Sequence, residues 1–164
     1  MRKSIWAGVA VVAALAVLTG VQAGDDKDKD HGTNKDHVMV RPDDVKWGPG
    51  PPGLPAGAKA AVISGDPSKA VPYVIRAKLP DGYKVPPHWH STDENVTVIK
   101  GTLMMGKGEK FNDDAEALPA GSFMRMPKER RHFAWAKGET IIQVHGIGPF
   151  DITYVNADDD PRKK

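Results

Sequence analysis

The chain has no cysteine in its 164 residues. Disulfides, thiolate metal sites and a lipid-modified cysteine are therefore excluded, and the fold must rest on core packing and any bound metal. It also lacks the helical apolar period: beyond the first segment, apolar residues alternate with polar ones in short runs. No glycine loop suited to cradling phosphate, and no nucleophile with an adjacent base, stands out. Charge of one sign is missing as well. The formal net charge is +2, and removing Arg2 and Lys3 with residues 1–23 takes 23 basic residues to 21, equal to the 21 acidic ones. That neutrality gives no support to nucleic-acid binding.

What is present begins with an export signature. Arg2 and Lys3 precede an uncharged run from Ile5 to Leu18, then Val21-Gln22-Ala23, the order of a secretory signal peptide cleaved after Ala23. The apolar run is shorter than the ~20 residues a spanning helix needs, so a periplasmic or secreted protein without stable membrane insertion is expected. Residues 24–44 read as a disordered charged tail in which His31 and His37 are solvated, 45–155 as one domain, and 156–164 as a charged C-terminal tail.

Within the domain, Val45 and Trp47 alternate with Lys46 and are expected to start the first strand, ahead of the Pro/Gly segment 48–58. Strands are expected at Ala60–Ile63, Tyr73–Leu79, the segment before His90, Val96–Met105, Ser122–Met126, His132–Ala136, Thr140–His145 and Phe150–Val155. A polar loop separates Gly106 from Glu116. Many short strands with turn signals between them predict an all-β sandwich or small barrel.

The chemistry concentrates in residues 82–101, GYKVPPHWHSTDENVTVIKG. Side chains alternate along a strand, so His88 and His90 share one face and Trp89 takes the other. The turn Ser91-Thr92-Asp93 returns the chain and brings the carboxylate of Glu94 back beside them. His132 follows the turn Pro127–Arg131 and is a fourth candidate. Imidazole nitrogen with carboxylate oxygen suits Zn, Mn, Fe, Ni or Cu, one divalent transition ion per chain, rather than Ca or Mg. Three nitrogens and one oxygen would leave two adjacent octahedral positions for exchange.

These residues resemble the cupin superfamily. The first cupin motif, Gly, five residues, His, one residue, His, three or four residues, Glu, six residues, Gly, is met at Gly82, His88, His90, Glu94 and Gly101. The second is met at Gly121, Pro127 and His132, but Glu129 stands where the motif has its second glycine and Ala136 where it has asparagine. The resemblance implies a double-stranded β-helix, or jelly-roll barrel, with one metal on His88, His90, Glu94 and His132. It also implies a homodimer formed through sheet edges near Val45 and Ala60. Glu129 questions the glycine conformation of its turn, and Ala136 predicts a more apolar pocket. The GDP turn, PPHWHSTDE, MPKERRHFAW and QVHGIGPF are similar to the cupin domain of some zinc-dependent anti-sigma factors and its free-standing relatives, whose helical sigma-binding part has no counterpart here.

Around the ligands, Tyr73, Ile75 and Ala77 are candidate pocket walls, or ordinary core. Gln143 and His145 share a face opposite Ile142 and Val144: inward, the polar pair would contact substrate, with His145 a donor behind the ligands or a proton shuttle; outward, it is a wet edge. Met124 and Met126 alternate with Phe123 and Arg125, so one pair faces inward. The first functional expectation is a metal-dependent oxidoreductase of dioxygenase type on a small organic substrate, with Glu94 relaying protons. The alternatives are a non-catalytic metal- or ligand-sensing module and a metal buffer.

Overall fold

The computed structural model describes residues 37–164. The signal peptide at 1–23 and the part of the charged tail up to residue 36, including His31, lie outside the described residues. Among the described residues nine strands make the fold: β1 (Gly48–Pro49), β2 (Lys59–Gly65), β3 (Pro72–Leu79), β4 (Lys84–Trp89), β5 (Glu94–Lys107), β6 (Glu116–Pro119), β7 (Phe123–Met126), β8 (His132–Ile147) and β9 (Thr153–Tyr154). All pairings are antiparallel, along the path β1-β2-β3-β8-β4-β9, with β5 joining β6, β7 and β8.

The long strands β5 and β8 organise the molecule. The C-terminal part of β8 pairs with β3 on one side and the start of β5 on the other; its N-terminal part pairs with β4 and the end of β5. Each long strand thus serves both halves of a curled sheet, which closes as a jelly-roll barrel. The bend in β5 falls where its register shifts, between Val98 and Thr102. Gly101 sits there at φ +77, and a Cβ would strike the backbone of Glu139 and Thr140, so only glycine fits. Opposite, the fully buried Thr140 hydroxyl shares its one proton between Thr102 O and Gly138 O, each 3.1 Å away, tying the two bends together.

Several sequence-based boundaries need correction. Regular pairing starts at Gly48–Pro49, opposite Lys59 and Ala60, rather than at Val45 and Trp47; Trp47 instead lies under the Lys78 ammonium, 4.6 Å from its ring centroid. The expected strands 132–136 and 140–145 are one strand, because β5 continues as a partner across the turn signal at Gly138. Glu116, expected to end the polar loop, instead opens the strand Glu116–Pro119, which pairs with Thr102–Met105, and the last strand shrinks from 150–155 to Thr153–Tyr154. The C-terminal residues hold two short 3-10 turns, the second capped by Asp160.

The core lies inside the barrel, built from inward residues such as Tyr73, Leu79, Val96, Leu103, Ala134 and Val144. Met124 packs on this core and Met126 is buried, whereas Phe123 is exposed: the methionine pair faces inward. Trp135 takes the outer face of β8, stacked on Phe133 with centroids 6.1 Å apart.

Candidate metal centre

Pro86 and Pro87 interrupt the ladder of β4, since proline offers no N–H, and the pairing with β8 shifts between Val85 and His88. That shift sets His88 directly opposite His132, the first residue of β8. His90 follows just beyond the end of β4, and Glu94 opens β5. The turn between them is pinned from both sides. Asp93 accepts from Lys128 N at 2.9 Å and pairs with Arg125, while Ser91 N donates to Asp151 Oδ1 at 2.8 Å.

All four side chains are buried: His88 4%, His90 4%, Glu94 7% and His132 1% exposed. The imidazoles of His88, His90 and His132 each present a nitrogen within 4.8 Å of the others, an arrangement that can hold a metal ion. Each Nδ1 faces a backbone carbonyl: Pro86 O at 2.7 Å for His88, Arg130 O at 2.9 Å for His132, and Asp151 O for His90. A carbonyl only accepts, so each Nδ1 carries the proton and each Nε2 keeps its lone pair. Backbone fixation of one ring nitrogen is the usual way proteins orient the other toward a metal.

Glu94 Oε2 stands 3.6 Å from His90 Nε2 and 3.3 Å from His132 Nε2. With both Nδ1 protons committed, lone pairs face the carboxylate, and these three atoms are buried without a hydrogen-bond partner. A shared cation satisfies all three at once, so the residues present fit a divalent transition ion. Burial, then His132 and His90, push the His88 imidazole down to about 3. For Glu94, burial alone would raise the carboxyl, but His90, His132 and His88 hold it down to about 2. The His88 imidazole is thus neutral beside an ionised carboxylate.

The four residues line a cavity of ≈ 500 Å³ whose other walls include Ile75, Ala77, Leu103, Ala134, Ile142 and Val144. Of the expected pocket residues, Ile75 is there. Tyr73 shares its face but is packed into the core against Phe150, ring centroids 5.5 Å apart, with its hydroxyl buried and unpartnered. Burial, Glu94 and Asp151 push that phenol above its usual range.

Gln143 and His145 require a correction. Strand alternation gives the cavity to Ile142 and Val144. Gln143 Oε1 instead accepts from Arg76 Nε at 3.1 Å on the outer face, and the His145 ring lies 6.4 Å from that of Phe123. His145 is therefore neither a pocket wall nor a proton shuttle at these ligands. Ala136 is buried in the core but does not reach the cavity wall. Glu129 does adopt the left-handed conformation, φ +61, and its N–H donates to His90 O at 2.8 Å.

Two contributors escaped the sequence reading. Phe150 stacks on the His90 ring at 4.8 Å, and Asp151 supplies the carbonyl that orients it, 61 residues away in sequence. The Pro/Gly segment is more than an approach to the first strand. Pro49, Pro51, Gly53 and Leu54 line the cavity, and the hydroxyls of Tyr83 and Tyr154 hold this strap by donating to Pro55 O (2.5 Å) and Gly53 O (2.7 Å). Tyr83, just before β4, and Tyr154, in β9, are weak signals for such tethers, because their partners depend on tertiary contact.

Curled antiparallel sheet and inward cluster together define a cupin-type barrel with a candidate three-histidine, one-glutamate centre. The chain belongs to the family described as a domain of unknown function (DUF4437), whose profile matches residues 38–162. Similar solved structures include the polyketide cyclase RemF from Streptomyces resistomycificus (TM-score 0.61, 18% identity, 77% of this chain and 91% of that one). An acetylacetone dioxygenase from Acinetobacter johnsonii has TM-score 0.59 and 14% identity over 79% of this chain and 83% of that one. An RmlC-like cupin from Shewanella frigidimarina NCIMB 400 has TM-score 0.51 and 12% identity over 73% and 93%. At these identities the likeness shows the fold. No curated protein matches the sequence.

Proposed function

We propose that this protein is an exported, metal-dependent oxidoreductase of dioxygenase type acting on a small organic substrate. One observation carries the reading: backbone-fixed imidazoles of His88, His90 and His132 converge with Glu94 on the wall of an apolar cavity large enough for a substrate. A divalent transition ion held there supplies Lewis acidity and, if redox-active, one-electron chemistry toward dioxygen. The chain's own part is defined by its side chains. The three histidines are fixed through their Nδ1 atoms, the aliphatic walls exclude water from the metal, and Glu94, the carboxylate among the ligands, takes and returns the substrate's proton. An acetylacetone dioxygenase among the fold neighbours is compatible with this chemistry on the barrel.

The test is oxygen uptake by protein loaded separately with Fe(II), Mn(II), Cu(II) and Ni(II), against diols, catechols and diketones. Turnover with at least one metal, lost in Glu94→Gln, is expected. Inactivity with every metal and substrate class overturns the oxidoreductase reading and favours a sensing module, which would bind without turnover.

A further inference from the structure

We infer that the ligand of this site is a largely hydrocarbon molecule carrying its oxygen atoms at one end, not a carbohydrate, amino acid or other multiply polar metabolite. The inference rests on the metal-centre reading above and extends it to substrate class.

The barrel is hollow where a domain of this size should be solid. Ala77, Leu79, Val85, Leu103, Ala134 and Val144 belong to the buried core and also wall the ≈ 500 Å³ cavity. Protein interiors normally pack with few voids larger than a water, and an unfilled apolar space lowers stability in proportion to its volume. Alanine at 60, 61, 77 and 134, where a longer aliphatic residue would close the gap, preserves that space. At roughly 30 Å³ per non-hydrogen atom, taken from the share of a liquid water, it accommodates on the order of fifteen such atoms.

The polar side chains on the walls are few, and most of their atoms are already paired. Apart from the four metal-centre residues, the ionisable side chains lining the cavity are Asp151 and Arg162. Asp151 Oδ1 accepts from Ser91 N, while Arg162 is held by both carboxylate oxygens of Asp160 and by Ile152 O. The Ser68 hydroxyl, also on the wall, donates to Asp66 at 2.6 Å. A ligand with hydroxyls along its length would bury them against aliphatic carbon without partners, a strong penalty. A hydrocarbon body meets no such penalty, and only its end at the histidines needs oxygen.

The experiment uses the full chain loaded with zinc, so that binding is read without turnover. Calorimetric titration with straight-chain hydroxamic acids from acetohydroxamic to tetradecanohydroxamic acid holds the chelating head constant. Affinity should rise about fourfold per methylene and level off at roughly ten carbons, whereas gluconohydroxamic acid should bind no more tightly than acetohydroxamic acid. Ala77→Leu and, independently, Ala134→Val should lower the chain length of the plateau while leaving zinc stoichiometry unchanged. A flat response to chain length, or tightest binding by the sugar derivative, overturns the inference. Metal-free protein titrated with straight-chain alkanols should show the same increment, so failure to load zinc does not hide the answer. Chain-length dependence without oxygen uptake in the redox-metal assays would remove the dioxygenase reading alone; uptake with a flat series would remove this one alone.

Discussion

His132 Nε2 faces Glu94 Oε2 at 3.3 Å, while His132 Nδ1 is held by Arg130 O at 2.9 Å. A ring whose one proton is committed to the backbone presents a lone pair to a carboxylate, and that contact calls for a cation between the two atoms.

Removal of either partner should separate metal binding from folding. His132→Ala and Glu94→Gln are expected to weaken metal affinity by more than the ~10–100-fold typical of losing a group behind a ligand. Competition against a chromophoric chelator measures this. Unchanged affinity in both would show that the metal sits elsewhere.

Metal should also stabilise the fold. Free metal a thousandfold above its dissociation constant adds about 4 kcal/mol, visible as a rise in melting temperature that a chelator reverses. His88→Ala should lack that rise.

Acid should destabilise the metal-free protein in a defined window. His88 titrates near 6.5 when unfolded but at about 3 when folded, so between these values the unfolded chain binds the extra proton and stability falls as pH drops. Glu94, moved from 4.5 to about 2, adds loss in the same direction at lower pH. Each proton contributes a slope of up to about 1.4 kcal/mol per pH unit. Melting of chelator-treated protein from pH 8 to 4 should show the decline starting near pH 6.5, with a shallower slope in His88→Gln. Equal slopes would contradict the assignment.

Glu129 holds φ +61 on the turn before His132. Glu129→Gly relieves a left-handed conformation costing ~1–2 kcal/mol but adds ~0.5–1 kcal/mol of unfolded-state entropy. A net gain of up to about 1 kcal/mol is expected in the urea midpoint at unchanged slope, and Glu129→Val should lose stability.

Tyr154 ties the strap at Gly53, where a Cβ would come within 2.8 Å of Ile152. Tyr154→Phe should cost about 1 kcal/mol and raise amide exchange across residues 50–58 more than across β8. Uniform exchange would mean that the strap does not open as a unit.

The contrast between what could be read early and what could not follows the range of the interactions. His88, His90, Glu94 and Gly101 lie within one hairpin, where alternation and turn chemistry act locally, and their spacing was sufficient. Gln143 and His145 alternate equally well in either phase; only packing of Ile142 and Val144 against the barrel interior chooses the face. Asp151 and Phe150 reach His90 from far along the chain, Asp151 across 61 residues, and the strap is held through tyrosines whose acceptors are backbone carbonyls without a sequence signature. The merger of 132–136 with 140–145 was hidden for a related reason: Gly138, at φ +74, marks a bend within a strand as readily as a turn between strands.

The most direct test of the central claim is X-ray absorption of protein loaded with one equivalent of zinc, alongside His132→Ala. The account predicts one tightly held ion per chain in a nitrogen- and oxygen-only shell dominated by imidazole scattering, with one imidazole fewer or no retained metal in the variant. A wild-type shell without imidazole, or an identical shell in the variant, would contradict it.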